Sequence, residues 1–205
     1  MPDPSNAARL PVKVWDPLVR VLHWTLAATI ALAWLTRSGG GRWHEWIGYA
    51  SLTAVAVRFG WGLASLRPGR DGAGSASSGW SGSSGSFAAF GSFVRAPAAT
   101  LGYARALIAG REYRYVGHNP LGGWMIVALL TTAALAGFSG WLYTTDAWWG
   151  DPRVEAIHYA LSVVLLVLIA LHVAGVVVTS LRHRENLLAA MITGRKRPAS
   201  GDDIG

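Results

Sequence analysis

The sequence predicts an all-α integral membrane protein, a four-helix bundle with four transmembrane helices and both termini in the cytoplasm. The chain has 205 residues, of which 52% are hydrophobic and only 14% charged, whereas soluble domains carry about a quarter charged residues. Four apolar runs approach or exceed the ~20 residues that a helix needs to cross a bilayer. Positive charges collect on alternate connections. We expect a single membrane domain over residues 1–205.

The four predicted spans cover residues 18–36, 45–66, 122–143 and 154–181. The first run is not read as a cleaved signal peptide, because it is long, contains His23 and lacks a small-residue cleavage site. The 11 tryptophans agree with a membrane setting, since indole rings concentrate at membrane interfaces.

The basic residues predict the orientation of these spans. Of the 18 lysines and arginines, 14 lie in the N-terminal segment, the central connection and the tail. The first and third connections hold Arg37, Arg42 and Arg153, and Arg58 lies within a span. By the positive-inside rule, both termini are cytoplasmic. The net charge of +7 is thus explained by topology, and we expect no nucleic-acid partner.

Two features divide the central connection. In residues 69–86, 13 of 18 residues are Gly or Ser, a composition typical of a flexible linker that we place in the cytoplasm. Residues 87–110 then show apolar side chains at roughly helical spacing, which favours an amphipathic helix at the membrane interface.

Histidine is the candidate ligand for any redox centre. The chain has no cysteine, which excludes disulfides, cysteine-ligated iron–sulfur clusters and covalent haem attachment. Four of the six histidines lie in or at the ends of predicted spans, where ionisable side chains usually mark function: His23, His44, His158 and His172.

The depths of these histidines predict two pairs. His158 and His172 are 14 residues apart, nearly four helical turns or about 21 Å, so they share one face near opposite membrane surfaces. Antiparallel topology places His23 level with His172 on the cytoplasmic side. It places His44 level with His158 on the outer side.

Two histidine pairs across a four-helix bundle predict two b-type haems, each with two axial imidazoles. A zinc site would need three or four ligands at one depth, and the spacing offers no such group. The alternative is that each imidazole only bonds to a neighbouring helix. That reading suits one histidine better than four arranged in pairs.

Three further residues are candidates for cofactor binding. Arg58 lies 14 residues after His44, and Arg20 lies three before His23. Both are candidates to pair with haem propionates at the cytoplasmic side, with snorkelling to the headgroups as the alternative. His118, before the third span, is expected to contact a propionate or a quinone, or to serve at the helix entry. His183 is expected to be a surface residue.

Several motifs closely resemble the prokaryotic cytochrome b561 family. The similarity covers residues 12–197 except the Gly/Ser linker, and it rests on these segments: Val14-Trp15-Asp16 with Arg20 and His23-Trp24, His44-Glu45-Trp46-Ile47-Gly48-Tyr49, Gly117-His118-Asn119-Pro120-Leu121-Gly122, and Ser180-Leu181-Arg182-His183-Arg184-Glu185-Asn186-Leu187. The family overlaps with the b-type cytochrome subunit of nickel–iron hydrogenases. The resemblance implies a di-haem cytochrome of the bacterial cytoplasmic membrane that exchanges electrons with quinone. Its axial ligands would match His23, His44, His158 and His172.

The leading functional prediction is an electron conduit between a periplasmic redox partner, such as a cytochrome or a dehydrogenase or hydrogenase subunit, and the quinone pool. Trp43, Trp148, Trp149 and Asp151 are expected near the outer haem, with a membrane aromatic belt as the other role of the tryptophans. A stand-alone superoxide:quinone oxidoreductase would draw on Arg42 and Arg153 to attract the anion. A membrane anchor subunit and a haem-free transporter are the remaining alternatives.

Overall fold

The computed structural model describes residues 12–39, 41–64, 97–111 and 119–197. Its described part is almost entirely helical. Six helices are α1 (Pro17–Thr36), α2 (Arg42–Ala64), α3 (Pro97–Ile108), α4 (Pro120–Tyr143), α5 (Pro152–Arg182) and α6 (Leu187–Thr193). Two strands of two residues, β1 (Val12–Lys13) and β2 (Arg195–Lys196), pair antiparallel. The predicted all-α class is confirmed.

The predicted span boundaries agree with helices α1, α2, α4 and α5 to within about three residues at each end, which is close to the usual uncertainty of helix termini. Of the predicted amphipathic helix at 87–110, the described residues contain α3. The Gly/Ser linker at 69–86 lies outside the described residues, as does His118.

Helix starts follow from local capping. Asp16 precedes α1, and its Oδ1 accepts hydrogen bonds from the backbone N–H of Leu18 at 2.8 Å and of Val19 at 3.4 Å. Asp151 does the same for α5 with the N–H of Arg153 at 2.8 Å. A carboxylate at this position satisfies donors that the first helical turn leaves without a partner. The hydrogen bond from the backbone N–H of Arg153 is the main reason that the pKa of Asp151 lies below its ordinary value.

Among the described helices, α1, α4 and α5 are long and apolar enough to cross a membrane. Their large apolar side chains point outward, with Leu35 72%, Phe138 52% and Leu171 56% exposed. Such surfaces are unfavourable in water and suit lipid. Helix α2 has 23 residues, enough to span, but its aromatic, small and charged residues keep it out of this apolar class.

The chain divides into two compact units. One contains the described residues within Met1–Arg20, Trp61–Trp124 and Gly175–Gly205; the other contains Val21–Gly60 and Met125–Ala174. In the second unit, segments of α1, α2, α4 and α5 pack around Val55, Ala133 and Leu165. This core brings the four helices that carry or surround the candidate histidines into one packed unit.

In the first unit, the β1–β2 pair joins the segments before α1 and after α6. Val14 is fully buried, and its N–H donates to the Gly194 carbonyl at 2.9 Å. The Arg20 guanidinium donates to the Ile192 carbonyl at the end of α6. A cation at a helix C-terminus is electrostatically favourable there.

Candidate cofactor site

The structure brings the four candidate histidines together as the two pairs that their spacing predicts. The ring centroids of His23 and His172 are 6.5 Å apart, with 55° between their planes. The centroids of His44 and His158 are 6.2 Å apart, with planes at 82°. Each pair joins α5 to a different partner helix, since His23 is in α1 and His44 in α2.

These separations match two imidazoles that bind one metal ion from opposite sides. A coordinating imidazole nitrogen lies about 2 Å from its metal, and the ring centroid lies about 1 Å farther back, which gives about 6 Å between facing centroids. Among the described residues, no group of three or more His, Cys, Asp or Glu side chains converges on a metal site. The donor set therefore fits a metal whose other ligands come from a cofactor, as in haem.

The pair predicted for the outer side (the outer pair), His44 and His158, is held by backbone carbonyls. Nδ1 of His44 lies 3.0 Å from the Ala33 carbonyl oxygen, and Nδ1 of His158 lies 2.9 Å from that of Ala136. A carbonyl oxygen only accepts, so each Nδ1 carries the proton and donates it. The lone pair is then on Nε2, the atom left to bind a metal.

In the pair predicted for the cytoplasmic side (the inner pair), His23 and His172, the ring of His23 has a different environment. Nδ1 of His23 is buried and has no hydrogen-bond partner within the described part of the chain. The rings of His23 and its neighbour Trp24 form a T-shaped contact, with centroids 5.2 Å apart and planes at 89°. The two pairs thus have similar separations, but Nδ1 of His23 lacks the carbonyl partner that Nδ1 of His44 and of His158 each have.

Helix α4 supplies no histidine to either pair, yet it touches His158 closely. Ser139 is 5% exposed; its hydroxyl donates to the Ala136 carbonyl at 3.0 Å and lies 3.3 Å from Nδ1 of His158. A Cβ added at Gly140 would lie 2.9 Å from Cε1 of the same ring, too close to be accommodated without a shift. The ring therefore rests on this turn of α4.

The glycines of α4 have different neighbours. A glycine in a membrane helix can leave space for a flat cofactor or make a contact with another helix. A Cβ at Gly137 would meet Leu52 of α2 at 3.0 Å, which is a helix contact, whereas Gly140 makes room for an imidazole. At Gly48 and Gly175, four and three residues after His44 and His172, an added Cβ would meet no described atom within 4 Å.

The predicted charged residues lie in different settings. Arg58 of α2 is buried, only 6% exposed, in the same unit as the four histidines. Arg20 binds the α6 carboxyl end in the other unit. His118, predicted as a propionate or quinone contact, lies outside the described residues.

The tryptophans expected near the outer haem, Trp43, Trp148 and Trp149, are exposed. Trp43 is 72% and Trp149 68% exposed, and Trp149 stacks on Tyr143 with centroids 6.0 Å apart. Arg42, Trp43 and Trp46 line an open pocket of ≈ 400 Å³. The Arg153 guanidinium lies 3.4 Å from the Asp151 carboxylate, so its charge is partly offset.

Sequence reasoning missed Ser139 and the carbonyls of Ala33 and Ala136. Ser139 has a weak signal, as a hydroxyl within a strongly apolar helix, but nothing in the sequence connects it to a histidine 19 residues later. The two carbonyls have no signal at all, because every residue has one.

A family model described as prokaryotic cytochrome b561 matches residues 14–194 of the chain. The matched region contains all four paired histidines as well as Arg20, Arg58 and His118. No curated protein and no solved structure matches the chain.

Proposed function

The chain belongs to the prokaryotic cytochrome b561 family of membrane b-type cytochromes, and we propose that it carries electrons between a periplasmic redox partner and the quinone pool. In this proposal the protein binds two b-type haems in the bacterial cytoplasmic membrane. His23 and His172 would hold one haem on the cytoplasmic side. His44 and His158 would hold the other on the periplasmic side.

One observation carries the proposal: two separate histidine pairs have centroid distances of 6.5 and 6.2 Å, each suited to one iron. Bound haem supplies one-electron redox chemistry at its iron. Two imidazoles that hold one haem iron would leave no open site for oxygen, and the chemistry would be limited to electron transfer.

We further propose that α2 is the fourth span. Its length of 23 residues is sufficient, and it shares a packed core with three helices that are apolar enough to cross a membrane. Its side chains Trp46, Val57 and Leu63 are 65%, 46% and 61% exposed, which suits contact with lipid. Four spans and the distribution of arginines and lysines then give cytoplasmic termini.

Arg58 is the residue that we propose to neutralise propionates of the inner haem. A guanidinium forms strong, charge-assisted hydrogen bonds with carboxylates, and the two propionates of a bound haem would be suitable acceptors. Arg20 and His118 remain predictions for the same side. For Arg20, the hydrogen bond to Ile192 supplies an additional structural role.

The alternative of a superoxide:quinone oxidoreductase has less support from these residues. It needs a positive surface by the outer haem, but Arg153 is paired with Asp151, which leaves Arg42 as the candidate cation. A role as the membrane anchor of a hydrogenase or dehydrogenase uses the same haems and differs only in the partner. Identification of proteins that co-purify with the native chain separates these roles.

The experiment is haem quantitation by pyridine haemochrome on detergent-purified wild type, His172→Ala, His158→Ala and His183→Ala. We expect two b haems per chain in the wild type and in the His183 control, and about one in each of the other variants. Loss of neither haem in the His172 and His158 variants would contradict the assigned pairs. A colourless wild type made with ample haem would overturn the proposal and favour a haem-free transporter.

A further inference from the structure

Helix α4 forms a seat for one histidine of the outer pair although it contributes no histidine itself. Ala136, Ser139 and Gly140 lie on one face of α4, since residues three and four positions apart share a face, and all three contact His158 of α5. The carbonyl of Ala136 accepts the Nδ1 proton, the Ser139 hydroxyl lies beside it, and Gly140 leaves space for the ring edge. These three contacts determine how the His158 ring is oriented, which of its nitrogens carries the proton, and how closely the ring approaches α4.

We propose that this turn of α4 tunes the outer haem, with Ser139 as a positioning residue that acts through His158. The inference rests on the proposed function, because it requires that His158 ligates a haem. It adds a residue that sets how strongly the ligand donates to the iron.

The chemical reason is the hydrogen bond at Nδ1. An imidazole that donates a hydrogen bond from Nδ1–H is a more basic ligand at Nε2. Hydrogen-bond partners of a metal ligand therefore change the affinity and the reduction potential of the metal. A stronger donor stabilises the oxidised iron and lowers the reduction potential. Ser139 offers a second acceptor 3.3 Å from Nδ1, while its own proton goes to the Ala136 carbonyl.

Ser139 is also unusual in its burial. It is 5% exposed in a helix whose other buried residues are small or apolar, such as Leu130, Ala133 and Ala136. A buried hydroxyl carries a desolvation cost, which its bond to the Ala136 carbonyl offsets. Its approach to the imidazole gives the hydroxyl a role that helix packing alone does not require.

His23 of the inner pair lacks this arrangement. Nδ1 of His23 is buried without a partner within the described part of the chain, and no described hydroxyl or carbonyl is hydrogen-bonded to it. An effect transmitted through His158 should therefore appear in one haem only. This asymmetry makes the proposal testable in a protein with two similar haems.

The test compares Ser139→Ala, Ser139→Thr and Ser162→Ala by spectroelectrochemical titration and low-temperature electron paramagnetic resonance (EPR). Ser162 is a matched control, because its hydroxyl donates to the main-chain carbonyl of His158 at 2.8 Å and not to the ring. We expect Ser139→Ala to keep two haems and to raise the midpoint potential of one, the haem whose EPR signal disappears in His158→Ala. Ser139→Thr, which retains a hydroxyl, should return the potential toward the wild-type value, and Ser162→Ala should not change it.

Equal midpoint potentials in wild type and Ser139→Ala would overturn the proposal for Ser139. If both proteins still bind two haems per chain, that result would leave the proposed function intact. A shift of both haems, or an equal shift in Ser162→Ala, would also overturn it, because either result indicates a general change in packing. If Ser139→Ala does not fold, Ser139→Thr and Ser139→Cys provide the comparison, because only the first retains a hydroxyl. A wild-type midpoint potential in Ser139→Cys would then contradict the proposal.

Discussion

The imidazoles of His44 and His158 face each other nearly at right angles, with 82° between their planes and 6.2 Å between their centroids. The rings of His23 and His172 are at 55°. Because the Nδ1 atoms of His44 and His158 are bonded to carbonyls of two different helices, neither ring turns without losing a hydrogen bond. The larger angle is therefore built into the protein.

We expect this difference in ring angle to separate the two haems in the EPR spectrum of the oxidised protein. Perpendicular axial imidazoles leave two iron d orbitals nearly equal in energy, which increases the anisotropy of a low-spin signal. Two signals should appear, and the one with the larger maximum g value should be lost in His158→Ala and kept in His172→Ala. The reverse assignment would contradict the geometry described for the pairs.

Gly140→Ala should change the content and the EPR signal of the outer haem, whereas Gly137→Ala should change neither. A Cβ at Gly140 would lie 2.9 Å from Cε1 and 3.2 Å from Nδ1 of His158, so the ring must move away from α4. A Cβ at Gly137 would instead press on the side chain of Leu52, a clash that costs about 1–3 kcal/mol of stability. Haem content and the outer EPR signal measure the first effect, and thermal unfolding measures the second.

The two glycine variants serve as controls for each other. Both add one methyl group to the same helix, three residues apart, in the same packed unit. An unchanged outer signal in Gly140→Ala, or equal changes in both variants, would show that the position of His158 does not depend on Gly140.

Much of the site was predictable from the sequence, for identifiable physical reasons. The spacing of His158 and His172 fixes their face and separation on a helix, and the alternation of spans then selects their partners. The structure brings both predicted pairs together. Helix boundaries were also close, because the apolar runs from which the spans were predicted end where polar residues begin.

Other features depend on contacts between distant parts of the chain. The pairing of β1 with β2 joins residues more than 180 positions apart, and no pattern in two-residue strands predicts it. The hydrogen bond from Arg20 to Ile192 is of the same kind. The carbonyls behind His44 and His158 are backbone groups, which the sequence cannot distinguish from any others.

Arg58→Gln should lower the potential of the inner haem. The side chain is buried, and a positive charge near a haem favours the reduced form, which carries one more electron. Each 1.4 kcal/mol of lost stabilisation corresponds to about 60 mV for a one-electron couple, and we expect a fall of this order. Redox titration with the two haems resolved by EPR gives the measurement.

Two further variants test the charge explanation for Arg58. Arg58→Lys keeps the positive charge and should retain most of the wild-type potential. Arg153→Gln removes an arginine whose side chain is 84% exposed, and it should leave the inner haem unchanged because solvent screens that charge. An unchanged potential in Arg58→Gln would argue against Arg58 as a propionate partner.

Gly194→Ala should loosen the joined terminal segments of the first unit. Gly194 ends α6 with a φ of 78°, a conformation that costs a residue with a Cβ about 1–2 kcal/mol. The added Cβ would also lie 3.2 Å from Cζ of Arg20 and 3.3 Å from the Trp15 carbonyl, so strain and crowding act together. Hydrogen exchange should then accelerate at Val14, whose N–H donates to the Gly194 carbonyl.

Gly110→Ala is the matched control for this variant, because Gly110 has a φ of 67° but open space around its Cβ position. Equal exchange rates at Val14 in the two variants would contradict the prediction that a Cβ at Gly194 loosens the β1–β2 pair.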